Sequence, residues 1–597
     1  MRILYQSFRK GQREAIEFLK SGLGNYVALR APPGYGKTLV ALAGHLGSGR
    51  VIYVVRTRNE IAPVVREMRK LGGLFTVVFS GRRMCPLVRG VDIPSEDFWL
   101  NCRILRLRNM CPYFLNLKKV SQSEVIDLLT QLEEVDPHRI AASVVRKFSV
   151  CSFFTLSGLA SKVDVAIATY PHLFNENIYS LAFPEIGLDE FYVVVDEAHT
   201  LIFPQSVLSD FIDVSTLVSS SSELDRSSHS ELARRVRQIE EVLRRVDTDK
   251  LARVSKQSIG VDQDFLSELK IALQDIRLTA LSSLELIGVE NFVKTTSSIS
   301  RVLRFLSLAV RDYFSLYAQR TSGGQRLYAL PLGYEPIRER LRPARGVLLM
   351  SGTLPPKNVL DSVVGRETKY LDVEASYGQI FPRENIFYAV YTAVTTSYPQ
   401  RSTKMFMEYA KLVRSIYDSV ERAILAVYPS YEVMEEVVRY VELPNSQYVE
   451  SEKTSVGDVV KTVLSNPHTL INAVASGKIV EGIEFRDSSG SSLVDSVVVC
   501  GIPYPYPDDY IEDFRATLRR DLGGFADTLA MDVQASMRVL QACGRAIRSE
   551  SDRAFVVLAD RRYLKSGFRE LLGIQYDAVF SDAPSLLSKL RGFFALK

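Results

Sequence analysis

The segment Ala31-Pro32-Pro33-Gly34-Tyr35-Gly36-Lys37-Thr38 constrains this chain more than any other. It lies between a short apolar strand pattern at 26–30 and a helical pattern at 38–46, the setting that a phosphate-binding loop requires. Glycines let the backbone curl until several N–H groups point at one anion, and the N-terminus of the following helix adds to the attraction. Pro33, Gly34, Tyr35 and Gly36 form the expected cradle. Lys37 is expected to neutralise the β- and γ-phosphates of ATP, and Thr38 to place its hydroxyl on Mg²⁺.

Two further strings fit the same chemistry. Val193-Val194-Val195-Asp196-Glu197-Ala198-His199 reads as a buried strand delivering two carboxylates to the edge of a sheet, where open α/β folds bind ligands. There Asp196 can hold the Mg²⁺ shell, and Glu197 can position and deprotonate the attacking water. In Gln541-Ala542-Cys543-Gly544-Arg545-Ala546-Ile547-Arg548, Arg545 and Arg548 are three apart and share a helix face. An arginine reaching a γ-phosphate from a facing domain stabilises transition-state charge, commonly by about 10³-fold or more in rate. Taken alone that helix face would read as solvated basic surface; two preceding phosphate-handling strings change its meaning.

Around these motifs the chain alternates. Residues 13–20 look helical, 26–30 form a strand, 38–46 are helical again, and 50–55 are a β-branched run. Such alternation predicts a parallel α/β sheet. The pattern breaks at Gly81, resumes at 163–168 and 192–195, and changes character after Thr200. Residues 213–230 are Ser-rich and read as a linker or mobile loop. Leu232, Val236, Ile239, Leu243 and Val246, and later Ile299, Val302, Phe305, Leu306 and Val310, then trace amphipathic helix faces, so the stretch to about 330 reads as a mostly helical insertion. From Val347 the alternation returns and runs to the end.

A chain of 597 residues exceeds one hydrophobic core and predicts three or four domains. Its 46% hydrophobic and 24% charged shares fit a globular protein, and no apolar run approaches the roughly 20 residues of a membrane span. The first ten residues carry charges where a signal peptide needs an apolar core, so a cytoplasmic location is expected. The net charge of +5 is mild, but residues 82–119 gather Arg82, Arg83, Arg89, Arg103, Arg106, Arg108, Lys118 and Lys119 against Asp92, Glu96 and Asp97. Such a patch suits phosphate binding or a solvated loop equally. Phe98, Trp99, Tyr113 and Phe114 lie among these cations and suit either base stacking or packing.

Six cysteines are too few for a disulfide scaffold. Cys85, Cys102, Cys111 and Cys151 crowd the first quarter, with 16, 8 and 39 residues between them. No short Cys-x₂₋₄-Cys pair of the kind zinc sites favour is present, and four thiolates suit a structural metal or an iron–sulfur cluster. Cys500 and Cys543 read as ordinary buried cysteines.

Together the three strings resemble a superfamily-two helicase, and the remaining ones narrow the resemblance to its XPD-like, DEAH-containing iron–sulfur branch. Tyr5-Gln6-Ser7-Phe8-Arg9-Lys10-Gly11-Gln12 resembles the adenine-reading segment, with Gln12 in the base-contacting place. Tyr53-Val54-Val55-Arg56-Thr57 is similar to the first DNA-contacting motif, and Ser351-Gly352-Thr353-Leu354 to the coupling motif. Ser476-Gly477-Lys478-Ile479-Val480-Glu481-Gly482-Ile483-Glu484-Phe485 resembles the SGK…EGIDF string of the second motor domain, with Glu484 where the family has Asp. Cys151-Ser152-Phe153-Phe154 stands where the family has Cys-Pro-Tyr-Phe, a string found here at Cys111 instead.

The resemblance implies two RecA-like parallel-sheet motor domains, the first (1–82 with 152–203 and 333–360) interrupted by an iron–sulfur domain (83–151) and a mostly helical arch (204–332), the second spanning 361–597. It implies a [4Fe–4S] cluster on Cys85, Cys102, Cys111 and Cys151, and contacts to nucleic acid from Tyr53, Arg56, Trp99, Arg106, Ser351 and Thr353. The implied activity is ATP-driven 5′ to 3′ movement on single-stranded and forked DNA by a monomer, in repair of the nucleotide-excision kind, with protein partners docking on the arch. Compactness suggests an archaeal, free-standing type. The alternatives are an RNA-directed motor, since phosphate-tracking grooves discriminate weakly, and a non-unwinding ATPase clamp or scaffold in a repair or transcription complex.

Overall fold

The computed structural model describes residues 8–88, 90–184, 186–282, 284–443, 446–451, 453–482, 485–487, 491–546 and 551–595. Two seven-stranded sheets, parallel throughout, organise it. The first runs Thr368–Asp372, Tyr26–Arg30, Gly346–Ser351, Phe191–Val195, Arg50–Val55, Val165–Thr169, Phe75–Val78. The second runs Gln447–Val449, Leu470–Val474, Ala423–Tyr428, Val494–Cys500, Ala554–Ala559, Ile386–Tyr391, Ala578–Phe580. Central strands such as Phe191–Val195 are buried on both faces because helices cover each side, which explains their unbroken apolar, β-branched character.

Both interruptions enter where the sheet can close without them. The cysteine-bearing segment joins Phe75–Val78 to Val165–Thr169, which are hydrogen-bonded neighbours. The arch leaves after Phe191–Val195 and returns into Gly346–Ser351, again neighbours. Each insertion therefore begins and ends at nearly one place on the sheet.

Three expectations change. The first sheet does not end at residue 360: the helix Lys357–Val364 crosses back, Gly365 turns at φ 69°, and Thr368–Asp372 pairs with Tyr26–Arg30. The Ser-rich stretch is no loop but the helix Val214–Arg226, capped by Asp213, whose carboxylate accepts the Thr216 N–H at 2.8 Å. Its serines bond to carbonyls a turn earlier, as from Ser220 to Thr216 O at 2.7 Å, while Leu217, Ser220, Ser221 and Leu224 are buried. Tertiary burial thus overrides weak helix propensity. Finally, the arch carries a four-stranded antiparallel sheet beside its helices, built around the hairpin of Phe314–Thr321 and Gly324–Pro331.

Candidate active site in the nucleotide cleft

The strand Tyr26–Arg30 ends in the phosphate loop, and the helix Lys37–His45 begins directly after it. Gly34 (φ 81°) and Gly36 (φ 94°) both adopt left-handed backbone, which a side chain would resist, and this reversal turns successive amides toward one point. Lys37 Nζ lies over the loop, donating to the carbonyls of Ala31 at 3.0 Å and Pro32 at 3.3 Å. Gln12 is buried: its Oε1 accepts the Arg9 N–H at 2.8 Å, and its Nε2 donates to Tyr35 O at 2.5 Å. The Tyr35 ring is fully buried beneath the loop. Gln12 and Tyr35 thus fix the loop's shape from behind.

Asp196 and Glu197 follow the central strand at its carboxyl edge, and Glu197 sits at φ 50°, a strained conformation for a non-glycine residue and one that clusters at functional sites. Tyr170 holds the turn, its hydroxyl donating to the carbonyls of Asp196 at 2.5 Å and Glu197 at 3.1 Å. Tyr53 donates to Asp196 Oδ2 at 2.9 Å. Burial, then the adjacent Glu197 charge, pushes the Asp196 carboxyl up. Burial acts the same way on Glu197, but the hydrogen bond and charge of His199, then Lys37 and Ser351, outweigh it and hold that carboxyl well below the usual range.

Ser351, at the end of its strand, donates to Glu197 Oε2 at 3.0 Å and lies 2.7 Å from His199 Nδ1. A serine has one proton, so with it directed at Glu197 the short contact requires His199 Nδ1 to be the donor. Ser351 Oγ also accepts the Thr353 N–H at 3.2 Å. The Glu197 side chain keeps 40% exposure.

The facing wall belongs to the second sheet. A cleft of about 470 Å³ has Ala31, Pro32, Pro33 and Thr353 on one side and Leu540, Cys543 and Gly544 on the other. Gln541 is buried in the helix Gln534–Cys543; that helix ends at its cap Gly544, so Arg545 stands in the turn beyond it and not on the helix face expected from the sequence. Arg548 and Glu484 lie outside the described residues.

Several residues expected at nucleic acid stand elsewhere. Tyr53 is fully buried beneath Asp196, because a central strand covered on both faces gives its side chains no route to solvent. Ser351 is likewise buried and serves Glu197. Trp99 packs edge-to-face on Phe153 (4.8 Å) and Phe98 (4.9 Å), and Arg106 lies over the rings of Phe154 (4.5 Å) and Phe114 (5.3 Å). Both line the cysteine cavity. Arg56 is half-buried in the loop after its strand, where its amide donates to Glu60 Oε2 at 2.9 Å.

Cys85, Cys102, Cys111 and Cys151 line that small cavity together with apolar and aromatic side chains and the Arg106 guanidinium. Burial raises Cys85, to about 12, and Cys102, to about 11, so loading a metal there must release protons. Among the described residues no three His, Cys, Asp or Glu side chains are gathered to hold a single ion. The donor set, four thiols lining one cavity with no carboxylate or imidazole beside them, has the chemistry that an iron–sulfur cluster or another thiolate-held metal requires.

The arch closes this cavity through Val293, and Asn101 Nδ2 ties it down by donating to Thr295 O at 2.8 Å. Beside it, Asp97 and Arg277 form an ion pair at 2.6 Å with exposures of 0% and 4%, joined by Ser300 and the Ser297 amide. Sequence reading missed this pair, and also Tyr170 and the role of His199; the string holding His199 was a usable signal, the others gave none.

A parallel two-sheet frame with a phosphate loop, paired carboxylates and a facing second wall defines a two-domain nucleotide-hydrolysing motor. Comparison with known proteins agrees in detail. Family models described as DEAD_2 and as a helicase C-terminal domain match residues 53–215 and 413–573. The ATP-dependent DNA helicase XPD of Sulfolobus acidocaldarius is 30% identical over 573 residues, covering 93% of this chain and 96% of that protein. The general transcription and DNA repair factor IIH helicase subunit XPD of Schizosaccharomyces pombe is 22% identical, covering 92% and 85%. A solved XPD helicase structure superposes with a TM-score of 0.74 at 27% identity, covering 95% of this chain and 98% of that one. The chain belongs to the XPD family of ATP-dependent helicases. No helix among the described residues is long and apolar enough to cross a membrane.

Proposed function

We propose that this protein is an ATP-driven DNA helicase that moves 5′ to 3′ on single-stranded DNA, as a monomer and in DNA repair. The observation that carries the reading is the triangle of Glu197, Ser351 and His199 at the sheet's carboxyl edge, with Thr353 next to it lining the cleft opposite the helix Gln534–Cys543. Lys37 would meet the β- and γ-phosphates. Glu197, held ionised, would orient the attacking water; phosphoryl transfer asks mainly for positioning and charge, so a weakly basic carboxylate suffices. Thr38 and Asp196 would hold Mg²⁺, which supplies charge neutralisation at the transferring phosphoryl group. The four cysteines would hold a [4Fe–4S] cluster as the structural centre of their domain.

ATP hydrolysis measured with and without single-stranded DNA or RNA tests the reading. The expected result is strong stimulation by DNA, weaker by RNA, and none in Lys37→Ala. Equal stimulation by both polymers would move the assignment to an RNA-directed motor.

A further inference from the structure

The loop after the strand Arg50–Val55 carries more than Arg56. Thr57 and Glu60 close a capping box, Glu60 accepting the Thr57 hydroxyl at 2.8 Å, and this tight turn projects Arg58 from the sheet's carboxyl edge. Arg58 Nη1 lies 2.9 Å from Nε2 of His138, which is exposed in the first turn of the helix Pro137–Phe148. A guanidinium can only donate, so Nε2 must accept, and His138 is neutral with its proton on Nδ1.

The groups facing His138 are unbalanced. Arg58 and Arg83 bring two positive charges, Phe79 meets the ring edge-to-face at 4.9 Å, and Asp136 is the facing acid, its carboxylate already accepting the Arg139 N–H at 2.9 Å as helix cap. Partial desolvation of the ring, then Arg58, holds the imidazole below its ordinary value, with Asp136 opposing and Arg83 adding. Arg58 is itself lowered, by burial and then by Arg83 and Arg82. Arg58 and His138, from separate elements and in contact at the positive end of a helix, with the charge of Arg83 adding to theirs, make a site short of one anion.

We propose that Arg58 and His138 grip one backbone phosphate of the single strand, and that His138 takes up a proton as the phosphate enters. The Arg58 to His138 hydrogen bond breaks, Nε2 gains its N–H from solvent, and both side chains then donate to phosphate oxygens. His138 thereby acts as a positioning residue that holds the Arg58 fork ready in the free protein. The inference rests on the single-strand motor reading. It adds that binding is linked to pH and names the phosphate contact responsible.

The test is fluorescence anisotropy of the full chain with a labelled oligothymidylate, titrated with NaCl at about pH 8 and about pH 6, on either side of an ordinary histidine. For the natural chain, acid is expected to tighten binding by up to about tenfold, the equivalent of one pKa unit. It should also steepen the slope of log affinity against log salt by about 0.7, one phosphate contact on a single strand. His138→Gln, which keeps an acceptor for Arg58 without titrating, is expected to show the shallow slope at both pH values. His138→Lys, permanently charged, is expected to show the steep one at both. Arg58→Gln should lower the slope by about 0.7 throughout. If natural chain and His138→Gln respond alike to acid, the proposal is overturned while the motor reading stands. If the natural chain binds no oligothymidylate at either pH, the motor reading falls and the site with it.

Discussion

Ser351 joins the two ends of the chemistry. Its hydroxyl donates to the carboxylate that orients water, accepts from the Thr353 amide, and touches His199, all at the end of the strand Gly346–Ser351. The backbone running on from it reaches Gly352 and Thr353, which line the cleft. Replacing it by alanine removes a hydrogen bond to a charged group, worth roughly 1.5–3 kcal/mol, while leaving the phosphate loop intact. Ser351→Ala is therefore expected to lower DNA-stimulated kcat by about 10- to 100-fold with KM for ATP little changed. Steady-state hydrolysis checks this; a raised KM with normal kcat would assign Ser351 to nucleotide binding instead.

At the scale of elements, the cysteine segment packs against both the first sheet and the arch. The helix Ser95–Leu107 carries Cys102 on one side and the buried Asp97 on another, so cavity and arch contact share one rigid rod. Removing one partner of a buried ion pair strands the other charge, commonly at about 3–5 kcal/mol, which makes Asp97 a positional constraint on the arch. Cys102→Ser is expected to reduce iron from about four atoms per chain to a small fraction and to open residues 83–151 to protease, with the second sheet's domain unaffected. Full iron content in that variant would remove Cys102 from the ligand set. The elements also show why some features were legible in the sequence and others were not. The phosphate loop and the Asp196-Glu197 pair are read because their chemistry sits in a few consecutive residues between a strand and a helix. Tyr53 and Ser351 were misplaced because their partners lie across the sheet, visible only once strands are paired. The serines of Val214–Arg226 pointed to a loop because local propensity was all that could be weighed, while burial against the helix Ser298–Ala309 decides their conformation. Asp97 and Arg277 stand 180 residues apart, and nothing local announces either.

For the whole molecule, the arch is anchored at both ends. It meets the cysteine domain through Asp97 and Arg277, and it meets the second sheet's domain through Arg253, which pairs with Asp513 at 2.5 Å and donates its amide to Asp509 at 2.8 Å. Tyr317 adds a hydrogen bond to Asp513 at 2.7 Å. Any closing of the cleft between the phosphate loop and the helix Gln534–Cys543 must therefore be felt by the arch, a route by which hydrolysis can move a bound strand. The most direct test of that account is ATP-dependent strand separation on forked duplexes bearing either a 5′ or a 3′ single-stranded tail, with Lys37→Ala as control. The account predicts unwinding from the 5′ tail alone, lost in the variant. Hydrolysis without unwinding from either tail would contradict it and leave an ATP-driven clamp.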